Sequence, residues 1–445
     1  MTSVHRRRIT TRIQSTANRV ISVTPHPGGT PCFVTQPESP PSVALVAGSV
    51  LLTACANSGG SSSSGANTGV SGDTVTLGAA VSLTGALARE GILTREGYDL
   101  CTDVVNAKGL QIGGKNVKLA ITYQDDKSAP DTAGQLIDQF NDKGNKLILG
   151  PYGSATTEAA AAVVERNGQI MVDSSGADDK IFTKGYRRTF AVLSPASKYL
   201  SAIVTAVNEL ATPKPKTVAI LSADDGFSKT AADGAKTEAG KVGWNVVATN
   251  YFPSRATDVS SSLTQIRGLK PDLVLGSVHL EEGIAIIRQS RELGVTPMAF
   301  GETVAPPTPD FASTLGPQAE GVLGSSQWTK EGKGKDEWFG TAADYNASFQ
   351  QKFGREPEYH AAEATAACFA FVEAMTKANS ADPNKVLDAV AALDTDSFFG
   401  QIKFNQTGLN VYKPMAVIQI QQGQQVAVWP KTDKTSAMRW PVATS

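Results

Sequence analysis

Residues 74–81, Thr-Val-Thr-Leu-Gly-Ala-Ala-Val, are apolar at nearly every position rather than at every second one, the pattern of a strand buried on both faces. Residues 96–106 then place Tyr98, Leu100, Cys101, Val104 and Val105 at helical spacing. The alternation continues with a strand at 117–123, a helix at 132–142, a strand at 146–149, a helix at 156–166 and a strand at 170–172. After Ser194-Pro195 it restarts: helix 198–209, a break at Pro213 and Pro215, strand 217–221, helix 229–242, strand 244–249, strand 273–275, helix 282–293 and strand 298–300. Strands alternating with helices imply an α/β fold with parallel-rich sheets covered by helices on both faces, here in two successive lobes. A long helix over 361–378 and a closing strand over 415–419 fit either lobe by pattern alone.

In open parallel sheets ligands sit beyond the carboxyl ends of the strands. The loops there read Ser82-Leu83-Thr84-Gly85, Gly150-Pro151-Tyr152-Gly153-Ser154, Ser174-Ser175-Gly176-Ala177, Asp224-Asp225-Gly226-Phe227, His279-Leu280-Glu281-Glu282 and Gly301-Glu302-Thr303. Small hydroxylated residues cap helices in every α/β protein, so no single loop marks a site. Together they set neutral donors from the first lobe against acids from the second. That suits a small zwitterion.

The N-terminal region has a different texture. Residues 43–54 are a short apolar run, too short to cross a bilayer as a helix and suited to a signal peptide. It ends in Leu52-Thr53-Ala54-Cys55, followed by a Ser/Gly-rich stretch composed like a flexible tether. L-T-A-C resembles a lipobox, which implies acylation of Cys55 and removal of residues 1–54. Residues 1–42 place their arginines far from the apolar run, so the start of this leader is doubtful. Without residues 1–54, which hold five arginines and one glutamate, the chain's 41 basic and 42 acidic residues become 36 and 41, a net charge of −5. Nothing basic is left to attract nucleic acid.

Chemistry is sparse. Outside the leader the histidines are His279 and His360; His279 sits at a strand end within reach of a cleft or of loop backbone. No serine elbow, metal-spaced Cys/His pair, P-loop or G-x-G-x-x-G is present, so neither an enzyme nor a cofactor is expected. Cys101 and Cys368 remain as one disulfide or two buried thiols.

With V-S-L-T-G at 81–85, D-x-K-S-x-P at 125–130, the Gly/Ser loop after Leu149 and Gly-Glu at 301–302, the chain resembles type I periplasmic binding proteins. Within them it is similar to the leucine/isoleucine/valine-binding proteins of branched-chain amino acid ABC transporters, over about residues 75–429. The resemblance implies two lobes joined by three hinge crossovers near 190–194, 325–329 and 404–409. The first lobe then spans 74–192 and 328–404, the second 193–327 and 405–430, between a 55–73 tether and a polar 431–445 tail. It returns the helix at 361 to the first lobe, beside the helix of Cys101.

The resemblance also implies site residues. Ser154 would hold a ligand carboxylate; Ser175 and Ala177 fall where the family uses backbone groups and a threonine hydroxyl that Ala177 lacks. Glu302 would hold the ammonium. Phe227 and Val278 stand where aromatics close over the ligand. Glu90 stands where apolar-ligand binders place an aromatic, so it points to solvent or faces an extra polar or cationic group on the ligand. The implied protein is an extracytoplasmic, lipid-anchored monomer that binds an amino acid or similar small molecule and delivers it to permease subunits. The alternatives are a sensor of the same fold, or a binder of an amide or amine.

Overall fold

The computed structural model describes residues 70–71 and 73–442. Cys55, the leader before it and most of the tether lie outside the described residues. The first sheet comprises β1 (Val70–Ser71), β2 (Thr74–Val81), β3 (Leu110–Ile112), β4 (Lys115–Asp125), β5 (Leu147–Leu149), β6 (Ile170–Asp173) and β7 (Thr189–Ala191). Its order is β3-β4-β2-β5-β6-β7, parallel except for the β3–β4 pair and the short β1 beside β2. Helices α1 (Ala88–Lys108), α2 (Pro130–Asp142) and α3 (Ser154–Asn167) connect these strands.

The second sheet follows the same plan. β8 (Thr217–Ala223), β9 (Asn245–Phe252), β10 (Leu273–Ser277), β11 (Ala299–Glu302) and β12 (Leu323–Ser326) are parallel, in the order β12-β11-β10-β8-β9. They alternate with α4 (Tyr199–Leu210), α5 (Gly226–Lys241), α6 (Ser260–Leu269), α7 (Leu280–Leu293) and α8 (Pro309–Leu315). Two small ribbons follow, β13 (Lys335–Asp336) with β14 (Gly340–Thr341), and β15 (Asp394–Thr395) with β16 (Ile402–Lys403). The hairpin β17 (Ala416–Gln421) and β18 (Gln424–Trp429) completes the second sheet against β12.

Helices α9 (Ala342–Phe353), α10 (Tyr359–Ala378) and α11 (Pro383–Ala391) share a core with the first sheet. α10 is buried along nearly its whole length, which explains why its sequence carries no clear amphipathic stripe. It crosses α1 so closely that a Cβ on Gly97 would lie 2.1 Å from the Ala361 carbonyl oxygen. One turn further along, Cys101 and Cys368 form a disulfide. The fold is therefore α/β and two-lobed, each lobe a parallel-rich sheet with helices on both faces.

The chain passes between the lobes three times, and the crossovers are tied to one another. Gln327 makes a reciprocal amide pair with Ser194, accepting from its N–H at 3.0 Å and donating to its carbonyl at 2.9 Å. The Ser194 hydroxyl donates to the Lys413 carbonyl at 2.8 Å, and Asn410 donates to Val192 O at 2.9 Å. Ala191 and Leu409 form a parallel bridge beside them.

Several elements differ from the sequence reading. α1 starts at Ala88 rather than 96, because its first turns are polar in sequence yet buried at Glu90, Gly91 and Thr94. β3, β7, α8, β12 and β18 are too short to show a period, and the helices α6, α9 and α11 also lie outside the elements read from the sequence. The C-terminal segment is not simply a polar tail: Met438, Trp440 and Val442 sit against the second lobe's core, and the Trp440 indole donates to Pro213 O at 2.8 Å.

Candidate functional site

Both sheets change the direction of their strand order once, the first between β2 and β5 and the second between β8 and β10. At such a switch point neighbouring loops leave in opposite directions and open a crevice. In this chain the two crevices face each other across a cavity of about 550 Å³, within the roughly 300–1,000 Å³ of small-molecule sites.

From the first lobe the lining comes from residues 85–90 after β2 and 153–158 after β5, with Asp178 after β6. The D-x-K-S segment does not line it; it braces the β2 loop from behind. Asp125 accepts from the N–H groups of Leu83 and Thr84 at 3.0 and 3.1 Å, and Ser128 Oγ accepts from Leu87 N–H at 3.0 Å. Gly85 lies so close to this brace, at φ +88°, that a Cβ would meet Lys127 O at 2.5 Å. The brace thereby sets the first turn of α1, and with it Glu90, at the cavity wall.

α3 begins at the cavity. Gly153 turns the chain at φ +89°, Ser154 is the first helical residue, and the first turn contains no acid. Such a helix start presents unpaired N–H groups and the positive end of its dipole, a ready seat for a carboxylate. Ser154 lines the cavity and its hydroxyl accepts from Asp178 N–H at 3.0 Å.

The second-lobe wall is acidic and aromatic, formed by residues 225–227, 254–257 and 279–282. Asp225 caps α5, accepting from Ser228 N–H at 2.8 Å, and Glu282 accepts from Arg255 N–H at 2.6 Å. The Phe227 ring meets Tyr199 edge-on at 5.1 Å and His279 at 5.3 Å. His279 in turn lies 6.5 Å from Tyr152 of the first lobe, and its buried Nδ1 has no partner.

Two polar contacts join the lobes over the cavity. Thr230 Oγ1 donates to Asp178 Oδ1 at 2.7 Å, and Arg89 Nε lies 2.5 Å from Asp310 Oδ2. Gly226 makes the first possible: a Cβ there would stand 2.4 Å from Asp178 Oδ2.

Of the residues read from sequence, Glu90, Ser154 and Phe227 line the cavity, and Ser175, Ala177, Val278 and Glu302 do not. The Ser175 hydroxyl is turned back to Glu363 Oε1 at 3.1 Å. Ala177 packs in the core, and its carbonyl accepts from Ala196 N–H. Val278 is buried in the second lobe's core, and its N–H donates to Thr303 Oγ1. Glu302 is 1% exposed and lies against Gly276 and Gly283, where a Cβ would come within 3.3 and 2.5 Å of its carboxylate oxygens. Burial first and the Glu282 charge second hold its carboxyl far above the usual range, and neither oxygen has a partner. In this arrangement Glu302 lies behind the wall and does not reach the cavity where a ligand ammonium would sit. Of the two readings of Glu90, the solvent-facing one fails, because Glu90 is 3% exposed and faces the cavity.

Asp178, which directly follows Ala177, lines the cavity as well, and in the sequence nothing marks it but its place in the loop after β6. Below the cavity, burial pushes Asp173 up to about 6 despite hydrogen bonds from Ser175 and Gly176 N–H. At the crossovers burial lowers Lys413 to about 7, while Glu363 acts in the opposite direction. Among the described residues no group of His, Cys, Asp and Glu could hold a metal ion, and no helix is long and apolar enough to cross a membrane.

Comparison with known proteins agrees with this fold. The sequence model described as "Periplasmic binding protein" matches residues 74–425. A Leu/Ile/Val-binding protein homologue of Brucella abortus is 25% identical over 360 residues, covering 77% of this chain and 87% of its own. Among solved structures, a leucine-binding protein from Thermotoga maritima superposes with a TM-score of 0.71 at 19% identity, over 79% of this chain and 97% of that one. An R. palustris solute-binding protein in complex with benzoate gives 0.68 at 17% identity, over 82% and 98%.

Proposed function

This chain belongs to the periplasmic binding protein family, and from that premise we propose that it is the extracytoplasmic solute receptor of an ABC importer. It takes an amino acid or amino-acid-like molecule into the interlobe cavity and hands it to permease subunits. The observation that carries this reading is the cavity at the two switch points, with the α3 N-terminus and Ser154 on the first-lobe side and carboxylates from both lobes around it. A ligand carboxylate would sit at the N-terminus of α3, and its ammonium would meet an acid across the cleft. Because such a ligand touches both lobes, it favours the closed arrangement over the open one, and closure of the lobes about the crossovers is the signal a permease reads. No bond is made or broken.

The relatives' names support an amino acid, and the benzoate complex is a reminder that the fold alone does not name the ligand. Calorimetric titration of the purified protein with the common amino acids tests the reading: one-to-one saturable binding of at least one is expected, and silence from all of them would overturn it. The lipid anchor is a separate part of the proposal. Cys55→Ser is expected to release the protein from the membrane fraction, and unchanged fractionation would refute acylation there.

A further inference from the structure

Six carboxylates line the cavity: Glu90, Glu158, Asp178, Asp225, Glu281 and Glu282. Only two guanidiniums answer them. Arg89 is engaged by Asp310, which lies outside the lining, and Glu158 pairs with Lys184. Counting those pairs as spent, four of the lining carboxylates face a single arginine, Arg255, in addition to Glu90. A ligand with one positive and one negative charge would leave this imbalance untouched.

Glu90 is the informative member. Its residue is 3% exposed, it lines the cavity, and among the described residues its carboxylate makes no hydrogen bond or ion pair. The nearby Thr94 hydroxyl donates to the Glu90 backbone carbonyl instead. Its place in the first turn of α1 suits an acid through the helix dipole. An exposed glutamate would serve the dipole equally, so the dipole does not account for burial. A carboxylate held away from water ordinarily has a partner; Glu302 also lacks one, but it lies behind the wall, whereas Glu90 lines the cavity. Tyr152 stands close enough for the Glu90 charge to be the second cause, after burial, raising its hydroxyl's pKa. Phe227 also lines the cavity, and an aromatic ring there favours a cation that lies over its face.

We infer that the ligand carries a second cationic group beyond its α-ammonium, as in lysine or arginine, and that Glu90 receives it. This rests on the cavity being the ligand site, as proposed above, and refines that proposal from amino acids in general to basic ones. A leucine side chain in the same place would set methyl groups against a buried, unpaired carboxylate.

The test is calorimetric titration of the purified protein with L-lysine, L-leucine and 1,5-diaminopentane, repeated on Glu90→Gln and Glu90→Leu. Lysine is expected to bind at least tenfold tighter than leucine, and Glu90→Leu to erase or reverse that ratio. Leucine binding as tightly as lysine to the unaltered protein would overturn the inference while leaving the amino-acid reading intact. Diaminopentane binding tighter than lysine would uphold the cationic class and overturn the amino-acid reading. Silence from all three and from L-arginine overturns the inference, and the amino-acid reading falls with it only if the remaining amino acids are silent too. Should either variant fail to fold, the lysine-to-leucine ratio of the unaltered protein decides the matter alone.

Discussion

The hinge and the cleft are both polar and both largely buried, yet they differ in where their polar groups are directed. At the hinge Ser194, Gln327 and Lys413 satisfy one another across three chain crossovers, and Asn410 bonds the carbonyl of Val192 beside them. In the cleft, Glu90 and His279 Nδ1 face the cavity or its wall with nothing to bond, and the first turn of α3 offers amides with no side-chain cap. Polarity paired internally fixes a geometry, whereas polarity left unpaired at a cavity waits for something else to complete it. Substitutions in the first region are therefore expected to cost stability, and those in the second to cost affinity.

The largest effect belongs to the hinge. Gln327→Leu strands the N–H and carbonyl of Ser194 in a buried site, and at about 1–3 kcal/mol for each unsatisfied group it should lower the unfolding free energy by about 2–6 kcal/mol. Denaturant melts check this; a loss below about 1 kcal/mol would mean that water reaches the crossovers and that the two regions are not distinct in this way.

Lys413 sharpens the same contrast through pH. Burial depresses its pKa from 10.5 to about 7 in the folded chain, so the unfolded chain binds the proton more tightly. Its burial therefore costs nothing above the unfolded pKa and progressively more stability as pH falls from there towards 7. Between pH 9 and pH 7 the unaltered protein should lose up to about 2 kcal/mol more than Lys413→Met, given about 1.4 kcal/mol per proton and pH unit. Parallel pH curves for the two proteins would remove Lys413 from the account.

Effects in the cleft are smaller and of the other kind. Thr230→Val deletes the hydrogen bond to Asp178 that spans the lobes, worth about 1 kcal/mol of preference for the closed arrangement. Affinity should fall about fivefold with the melting temperature nearly unchanged. Arg89→Ala removes a half-exposed ion pair with Asp310, and such pairs contribute about 0–1 kcal/mol. The expected loss is under fivefold, and it should shrink further in high salt. A stability loss in either variant larger than its loss in binding would blur the division between regions.

Much of this architecture was legible in the sequence, because doubly buried strands such as β2 read as unbroken apolar runs and alternate with helices. The loops at the carboxyl ends of the strands were legible too, and with them Ser154 and Phe227, whereas Glu90, beyond the Ser82–Gly85 loop, was singled out only through the resemblance. What the sequence could not provide was orientation inside those loops. Ser175 and Ala177 are adjacent to Asp178, yet a turn of the backbone sends the first two into the interior and the third to the cavity. Glu302 follows β11 as the resemblance implies, but Gly276 and Gly283 leave room for its side chain to lie back against the sheet. One residue of backbone rotation decides such cases, and neither periodicity nor composition records it.

Amide hydrogen exchange by mass spectrometry, with and without saturating L-lysine, tests the central claim most directly. Slower exchange is expected in segments 85–90, 153–158, 225–228 and 279–282, with the crossovers around 192–194 and 326–328 already slow and little changed. Protection confined to another face of the molecule, or none in the four cleft segments under conditions where lysine is bound, would contradict the account.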